Sequence, residues 1–238
     1  MLLSELFKTL SFNELSNLSI GNEGKGSIKP EQYERFIDFT NNALLELYSR
    51  FAINTKELIL QTYDYKSIYP IKSEFALSNT SSNQIKYIID TPNDPFIDDI
   101  ISITGVRNEV GNALPINDPE QWASVFTPQV DTLQLTHVSD SQVFFVEYKA
   151  KPTKLIYNPN DLDATLNQEF ILPTALYEAL RYRVANYFIS PMTGQGIQAK
   201  TQQLDQLYQD KCNEIEQLGL MGYNEFSTNT KLYRRGFI

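Results

Sequence analysis

Residues 172–219 read LPTALYEALRYRVANYFISPMTGQGIQAKTQQLDQLYQDKCNEIEQLG and contain two successive helical patterns. In both halves, apolar residues recur at steps of three and four, as amphipathic helices require. They are Leu172, Leu176, Leu180, Val184, Tyr187 and Phe188, followed by Ile197, Leu204, Tyr208, Cys212, Ile215 and Leu218. Gly219 suits the end of the second helix. The short connection PMTGQG predicts that the two helices form an antiparallel hairpin.

The same periodicity appears in residues 30–51, PEQYERFIDFTNNALLELYSRF, where Pro30 suits the first helical position. Residues 2–10 and 13–20 predict two shorter helices before it. The intervening GNEGKGS would break any helix. It departs from the phosphate-binding loop pattern, so we interpret it as a structural loop.

The middle of the chain changes to short β-favouring runs separated by turn-forming stretches such as TPNDP. The runs are ELILQTY, QIKYIID, DIISITGV, DTLQLTHV and SQVFFVEYKA. They predict antiparallel strands. The sequence therefore predicts an α+β fold, in which residues 1–55 and 165–221 form a discontinuous helical bundle. Residues 56–164 form an inserted antiparallel β module, and residues 222–238 form an extended C-terminal arm.

Composition narrows the chemistry. Cys212 is the only cysteine and His137 the only histidine, so an internal disulfide and a Cys/His zinc site are excluded. No apolar run is long enough for a membrane span, and Glu5 and Lys8 interrupt what would be the apolar part of a signal peptide. We therefore expect no membrane association, and a protein that stays in the cytoplasm of the cell that makes it.

The net charge of −9 argues against broad nucleic-acid binding. Much of it lies in the β region, where residues 84–140 hold nine Asp and Glu against Lys86 and Arg107. The acidic cluster Asp90, Asp94, Asp98 and Asp99 is a candidate divalent-ion site or carboxylate pair. Because prolines are interspersed with these acids, a solvated loop is the favoured interpretation.

The final residues, GYNEFSTNTKLYRRGFI, are basic and apolar at the end of an acidic chain. Large apolar side chains are costly to leave in water, at about 1.5–3 kcal/mol each, which favours docking on a partner over disorder. The predicted partner-binding residues are Tyr223, Phe226, Lys231, Leu232, Tyr233, Arg234, Arg235 and Phe237. No catalytic, cofactor-binding or metal-binding residue is predicted.

Two stretches carry a family resemblance. FNELSNLSIGNEGKGSIKPEQYERFIDFTNNALLELYSRF resembles the N-terminal signature of the head-to-tail adaptor proteins of short-tailed bacteriophages. LPTALYEALRYRVANYFISPMTGQG and the helix around QLYQDKCNEIEQLG are similar to the closing helix pair of the same family. The β region carries no such resemblance.

The resemblance implies a structural virion protein and not an enzyme. Copies of the chain, about twelve in the family, would close into a homo-oligomeric ring through heterologous contacts. The ring would bind the portal protein on one side and tail or nozzle proteins on the other. DNA would pass through its lumen without specific binding. The chain would be assembled in the host cytoplasm and reside at the head-tail junction of the virion.

Two other classes of function stay open at this point. Tyrosines in the β region suit a carbohydrate- or receptor-binding virion module, although burial explains them equally well. A carboxylate pair from the acidic region would suit a hydrolase, but no nucleophile or histidine-centred site accompanies it.

Overall fold

The computed structural model describes residues 1–16, 28–63, 65–137, 139–192, 194 and 196–220. The chain folds as two compact units. The helical unit joins Met1–Ile53 to the segment that begins at Pro152, and the β unit spans Asn54–Lys151. Helices occupy both ends of the described chain and antiparallel strands its middle. The fold is α+β, which confirms the predicted fold class.

The described residues of the helical unit form five α-helices. They are α1 (Leu3–Phe12), α2 (Tyr33–Arg50), α3 (Leu162–Leu166), α4 (Tyr177–Ile189) and α5 (Ile197–Gln217). A 3₁₀ turn precedes α2 at Pro30–Gln32 and α4 at Thr174–Leu176. Within the described ranges, no helix combines the length and the apolar composition that crossing a membrane requires.

The predicted hairpin of α4 and α5 is confirmed. Asn186 Nδ2 donates to the Thr201 carbonyl at 2.8 Å, Arg183 pairs with Asp205, and Glu178 pairs with Lys211. As the residue number on α4 falls, that on α5 rises, so the helices are antiparallel. The predicted second helix at residues 13–20 is wrong over its described part, because residues 13–16 form a turn.

Phe36 joins the two ends of the chain inside the helical core. Its fully buried ring stacks on Phe188 of α4 at a centroid distance of 4.5 Å. The Phe36 ring also contacts Phe7 of α1 edge to face, with 5.7 Å between the ring centroids. Offset and edge-to-face aromatic pairs stabilise beyond the area that they bury. One side chain of α2 therefore links α1 and α4.

Backbone hydrogen bonds close the unit at the start of the chain. Leu3 N–H donates to the Gln168 carbonyl at 3.0 Å, and Phe170 N–H donates to the Met1 carbonyl at 3.1 Å. The first residues thus pair with the segment that leads from α3 to α4.

The chain returns from the β unit to the helical unit at Pro152, earlier than the boundary between residues 164 and 165 that the sequence predicted. Asn41 on α2 binds both backbone groups of Leu155, with Nδ2 donating to the carbonyl and Oδ1 accepting from N–H, each at 2.9 Å. Gln168 binds the neighbouring Ile156 in the same two-sided way. Residues 152–164 therefore belong to the helical unit. Part of this polar stretch is helix α3, whose N-cap Asp161 accepts from Ala164 N–H at 2.8 Å.

A buried ion pair ties the turn after α1 to α4. Glu14, with its side chain 6% exposed, faces Arg181 with an Oε1 to Nε distance of 3.5 Å. Neither Glu14 Oε2 nor Arg181 Nε has a hydrogen-bond partner among the described residues. Burial is the largest influence on this carboxyl and raises its pKa, although a backbone hydrogen bond and the nearby Arg181 and Lys200 pull it down.

The raised pKa of Glu14 gives a pH-dependent prediction for Glu14→Gln. A carboxyl whose pKa is raised by folding stabilises the native state below its unfolded pKa, and this contribution is lost as pH rises through the folded pKa. We therefore expect the stability of Glu14→Gln relative to the parent chain to increase from acidic to neutral pH. Urea unfolding at several pH values measures this difference. Glu34→Gln, at an exposed position of α2, is the matched control, and an equal pH trend in both variants would contradict the assignment.

Where the structure describes the β unit, the chain forms seven strands. They are β1 (Thr55–Gln61), β2 (Ile68–Pro70), β3 (Ile88–Ile89), β4 (Ile100–Asn108), β5 (Val125–Gln129), β6 (Thr132–Leu135) and β7 (Val143–Ala150). A four-stranded sheet has the order β3-β1-β7-β4, and a three-stranded sheet has the order β2-β6-β5. All pairings between strands are antiparallel, as the sequence predicted.

The strand β7 shows why the sheet forms where it does. Its burial alternates strictly, so Phe144, Val146, Tyr148 and Ala150 face the core. β1 pairs with β7 along seven residues, from Thr55 opposite Lys149 to Gln61 opposite Val143. The central pair therefore carries the sheet, with β3 and β4 at its edges.

Candidate functional site

The eight predicted partner-binding residues, from Tyr223 to Phe237, lie outside the described residues. The structure does describe the C-terminal end of α5, which precedes them in the sequence. α5 ends at Gln217, and Gly219 adopts a left-handed conformation with φ of 60° that a side chain would strain. The helix end that precedes the arm is therefore well defined.

One arginine fixes this end of α5. The Arg50 guanidinium on α2 donates from Nε to Glu216 at 2.7 Å, from Nη1 to Gln209 at 2.9 Å and from Nη2 to Asn213 at 2.7 Å. These bonds lower the pKa of Glu216, with the Arg50 hydrogen bond as the main cause. The planar guanidinium suits such a multiple contact, which a lysine would not reproduce.

A second arginine holds the middle of the helical unit. Arg183 on α4 donates from Nε to Glu46 at 2.7 Å and from Nη1 to Asp205 at 2.9 Å. Its guanidinium also lies over the rings of Tyr187 and Tyr208, 4.7 and 5.0 Å from their centroids. Arg183 therefore connects α2, α4 and α5. Because these contacts occupy its guanidinium, it is not available to bind a ligand.

The buried Cys212 lies close to this network and is fully enclosed. Burial raises the pKa of its thiol, although Arg50 and Tyr208 pull the pKa down. A thiol held protonated by burial is a poor nucleophile. The structure confirms that Cys212 packs as a small apolar residue.

The four acids of the predicted cluster have different partners in the structure. Asp98 accepts hydrogen bonds from the Ser73 N–H and hydroxyl, and Asp90 accepts from Ser78 and from Phe96 N–H. For Asp90, burial raises the pKa, but these hydrogen bonds outweigh it and leave the pKa lowered. Both carboxylates hold loop backbone in place. Asp94 and Asp98 are exposed and Asp90 is half-buried, so the solvated-loop interpretation is wrong only for the buried Asp99.

Asp99 is the most buried of the four. Its Oδ2 accepts from Lys56 Nζ at 2.6 Å and its Oδ1 from the Tyr148 hydroxyl at 3.1 Å. Its side chain is 10% exposed, whereas that of Lys56 is 41% exposed. Burial, followed by the charge of Asp99, raises the pKa of Tyr148. A buried carboxylate with a paired cation and a bound hydroxyl is satisfied, and nothing prepares it for proton transfer.

Asp94 and Asp99 face the same groove of the β unit. The groove has a volume of about 380 Å³ and is lined by residues 56–59 of β1, by residues 88–91, and by Asp94, Phe96, Ile97 and Tyr148 among others. In the described part of the chain, no group of three or more His, Cys, Asp or Glu is arranged to hold a metal ion. The groove therefore combines negative charge with apolar walls and presents no metal-ligand set.

Most tyrosines of the β unit are not available to a ligand. Tyr69, Tyr87 and Tyr148 are buried, and the Tyr69 and Tyr87 hydroxyls donate to the carbonyls of Tyr63 and Pro70. The burial interpretation therefore holds for these three residues. The most exposed aromatic side chain of the unit is Trp122, at 78%, with His137 beside it at 5.3 Å. His137 lies in the bend after β6 and not on a strand face.

A lysine in an aromatic cluster is a feature that the sequence did not reveal. Lys66 Nζ lies 4.1 Å from the centroid of Tyr87, 4.9 Å from Phe75 and 5.6 Å from Tyr69. Burial lowers the pKa of this amine. The rings stabilise the cation through their negative faces. No local pattern could predict the contact, because residues from three separate segments form it.

Neither the models of known protein families nor the sequences of curated proteins give a match to this chain.

Proposed function

We propose that this chain is a structural subunit of a head-to-tail adaptor ring, which joins the portal vertex of a short-tailed phage to its tail and surrounds the DNA channel. The observation that carries the proposal is that the N- and C-terminal helices form one unit, while the β unit is inserted between them in the sequence. The two stretches that resemble the adaptor family are the same two that meet in this helical unit.

The contacts within the helical unit support a scaffold role. Arg50 holds three partners on α5, and Arg183 holds one partner on α2 and one on α5. Phe36 joins α1, α2 and α4. Contacts of this kind between helices make the subunit rigid, so that it keeps its shape when a neighbouring copy binds. Rings close only if each copy repeats the same heterologous contact, which favours such rigidity.

The charge of the β unit supports passage of DNA without binding. Residues 54–151 contain thirteen Asp and Glu against seven Lys and Arg. Two of the lysines, Lys56 and Lys66, are engaged by Asp99 and by aromatic rings. An acidic surface repels phosphates and leaves the polymer free to slide.

The hydrolase alternative has less support. Asp98 and Asp99, the carboxylates that it requires, bind Ser73, Lys56 and Tyr148. The carbohydrate-binding alternative also loses support, because Tyr69, Tyr87 and Tyr148 are buried and Tyr65 is the strongly exposed tyrosine among the described residues of the unit.

Native mass spectrometry of the full-length chain mixed with the portal protein of the same phage tests the proposal. We expect a complex in which several copies of the chain bind one portal ring, because an adaptor assembles on the portal. A portal ring from an unrelated phage is the control. A chain that stays monomeric with its own portal, or that binds both portals equally, would contradict the proposal.

A further inference from the structure

The sheet of the β unit has an open edge beside β1. On that side β3 pairs only with Ile59 and Leu60, at Ile89 and Ile88. Residues 55–58 pair with β7 on their other side, but on this side they meet no strand among the described residues. After β3 the chain turns between Thr91 and Asp94, and the Asp90 carboxylate accepts hydrogen bonds from Ser78 and from the Phe96 N–H beside this turn.

The open edge forms one wall of the groove of about 380 Å³. A volume of this size is within the range of natural ligand sites. The groove is also acidic, because Glu57, Asp90, Asp94 and Asp99 line it together with a single base, Lys56. Lys56 pairs with Asp99, and Glu57 pairs with Arg107 outside the groove, so Asp90 and Asp94 supply the remaining negative charge. An open strand with unpaired backbone groups is a template for another strand, and its surroundings here favour a basic one.

Two other cavities, both in the helical unit, are less suited to a basic segment. One is lined by Glu5 and Lys8, and the other by Glu178 with Arg181 and Lys211. The charged side chains of the first cavity cancel, and those of the second have a positive balance. The acidic groove of the β unit therefore differs from both in sign.

Residues 222–238 of the same sequence have the matching chemistry. They carry Lys231, Arg234 and Arg235 against Glu225. In an extended segment, successive side chains point to opposite faces. Each face of residues 231–238 then presents both basic and apolar groups, with Lys231, Tyr233, Arg235 and Phe237 on one and Leu232, Arg234 and Ile238 on the other. Either face complements a groove that is acidic and apolar.

We infer that residues 222–238 of one copy of this chain bind in the acidic groove of a second copy, adding a strand beside residues 55–58. The inference rests on the proposed function, because a ring brings a surface of one copy against a different surface of the next. Backbone hydrogen bonds to β1 supply the affinity. The acids of the groove select the basic side chains, and Phe96 and Ile97 contact the apolar ones.

Binding of a fluorescent peptide of residues 222–238 to the full-length chain, followed by anisotropy, tests the inference. Asp94 is the position to change, because it is exposed and lines the groove while Asp90 and Asp99 hold the fold. We expect Asp94→Lys to weaken binding about five- to tenfold, with a smaller effect at high salt. Glu120→Lys, an equal charge change at an exposed position outside the groove, is expected to bind as the parent does. Equal affinity in the two variants would overturn the inference.

Disulfide trapping decides which copy receives the segment. An equimolar mixture of full-length Asp94→Cys and Tyr233→Cys chains is expected to form a mixed disulfide between copies, and Glu120→Cys with Tyr233→Cys is not. An internal disulfide in the Asp94→Cys/Tyr233→Cys double variant, with none between copies, would overturn the inference. If rings assemble but the mixed disulfide does not form, the inferred contact is wrong and the proposed function stands. If the mixed disulfide forms but the chain does not bind the portal, the contact stands and the proposed function is wrong.

Discussion

Phe36→Ala is expected to lower the free energy of unfolding of the helical unit by about 3–5 kcal/mol. Phe36 is fully buried and contacts Phe188 at 4.5 Å and Phe7 at 5.7 Å. Truncation leaves a cavity where α1, α2 and α4 meet, and rigid neighbouring helices cannot collapse into it. Because these helices come from both ends of the chain, the loss falls on the contact that closes the discontinuous unit.

Urea unfolding followed by far-UV circular dichroism measures this effect on the helical signal. A chain of two units need not unfold in one transition, so the helical and β signals are followed separately. Phe12→Ala is the matched control, because Phe12 is 72% exposed and its truncation should change stability by less than about 0.5 kcal/mol. Similar losses in the two variants would show that Phe36 does not hold the unit together.

In the β unit, Lys56→Met is expected to lower the free energy of unfolding by about 2–3 kcal/mol at neutral pH. The substitution keeps the length of the side chain but removes the ammonium group that lies 2.6 Å from the Asp99 carboxylate. Asp99 is then a buried charge that has lost its cation and keeps the hydrogen bond from the Tyr148 hydroxyl. The expected loss is at the lower end for a broken buried pair because Lys56 itself is partly exposed.

Thermal and urea unfolding, read on the β signal, test this second prediction. Lys72→Met removes a charge from an exposed lysine of the same unit and should have little effect. The double variant Lys56→Met/Asp99→Asn should recover much of the loss, because a neutral amide needs no counter-charge and still accepts from Tyr148. No recovery in the double variant would mean that the loss comes from packing of the lysine stem.

Local periodicity predicted the long elements well. The three-and-four spacing placed α2, α4 and α5 within a few residues, and alternation placed β7. The short strands β2 and β5 were not predicted. β2 has only three residues and ends in Pro70, and β5 contains Pro128, which interrupts any strand pattern.

Features that depend on distant residues were beyond a local pattern. Residues 152–164 looked like part of the β region, but Asn41 draws Leu155 to the helical unit. The partners of Asp98 and Asp99 were not predicted for the same reason, because Ser73 and Lys56 come from earlier segments. Sequence spacing indicates which residues share a face of one element, whereas these contacts join separate elements.

The binding segment was predicted from the sequence, whereas the groove was not. Its eight residues were selected by composition, since basic and aromatic side chains end an acidic chain. The groove that matches it arises from the short pairing of β3 with β1, which no composition reveals. The open edge came from the structure alone, whereas the sequence already showed Asp90, Asp94 and Asp99 as parts of one acidic cluster.

Electron cryo-microscopy of the head-to-tail junction of the assembled phage tests the central claim most directly. Our account predicts a closed ring of copies of this chain between the portal and the tail, with density for residues 222–238 of each copy in the acidic groove of its neighbour. A junction in which this chain is absent, or lies outside the ring between portal and tail, would contradict the account.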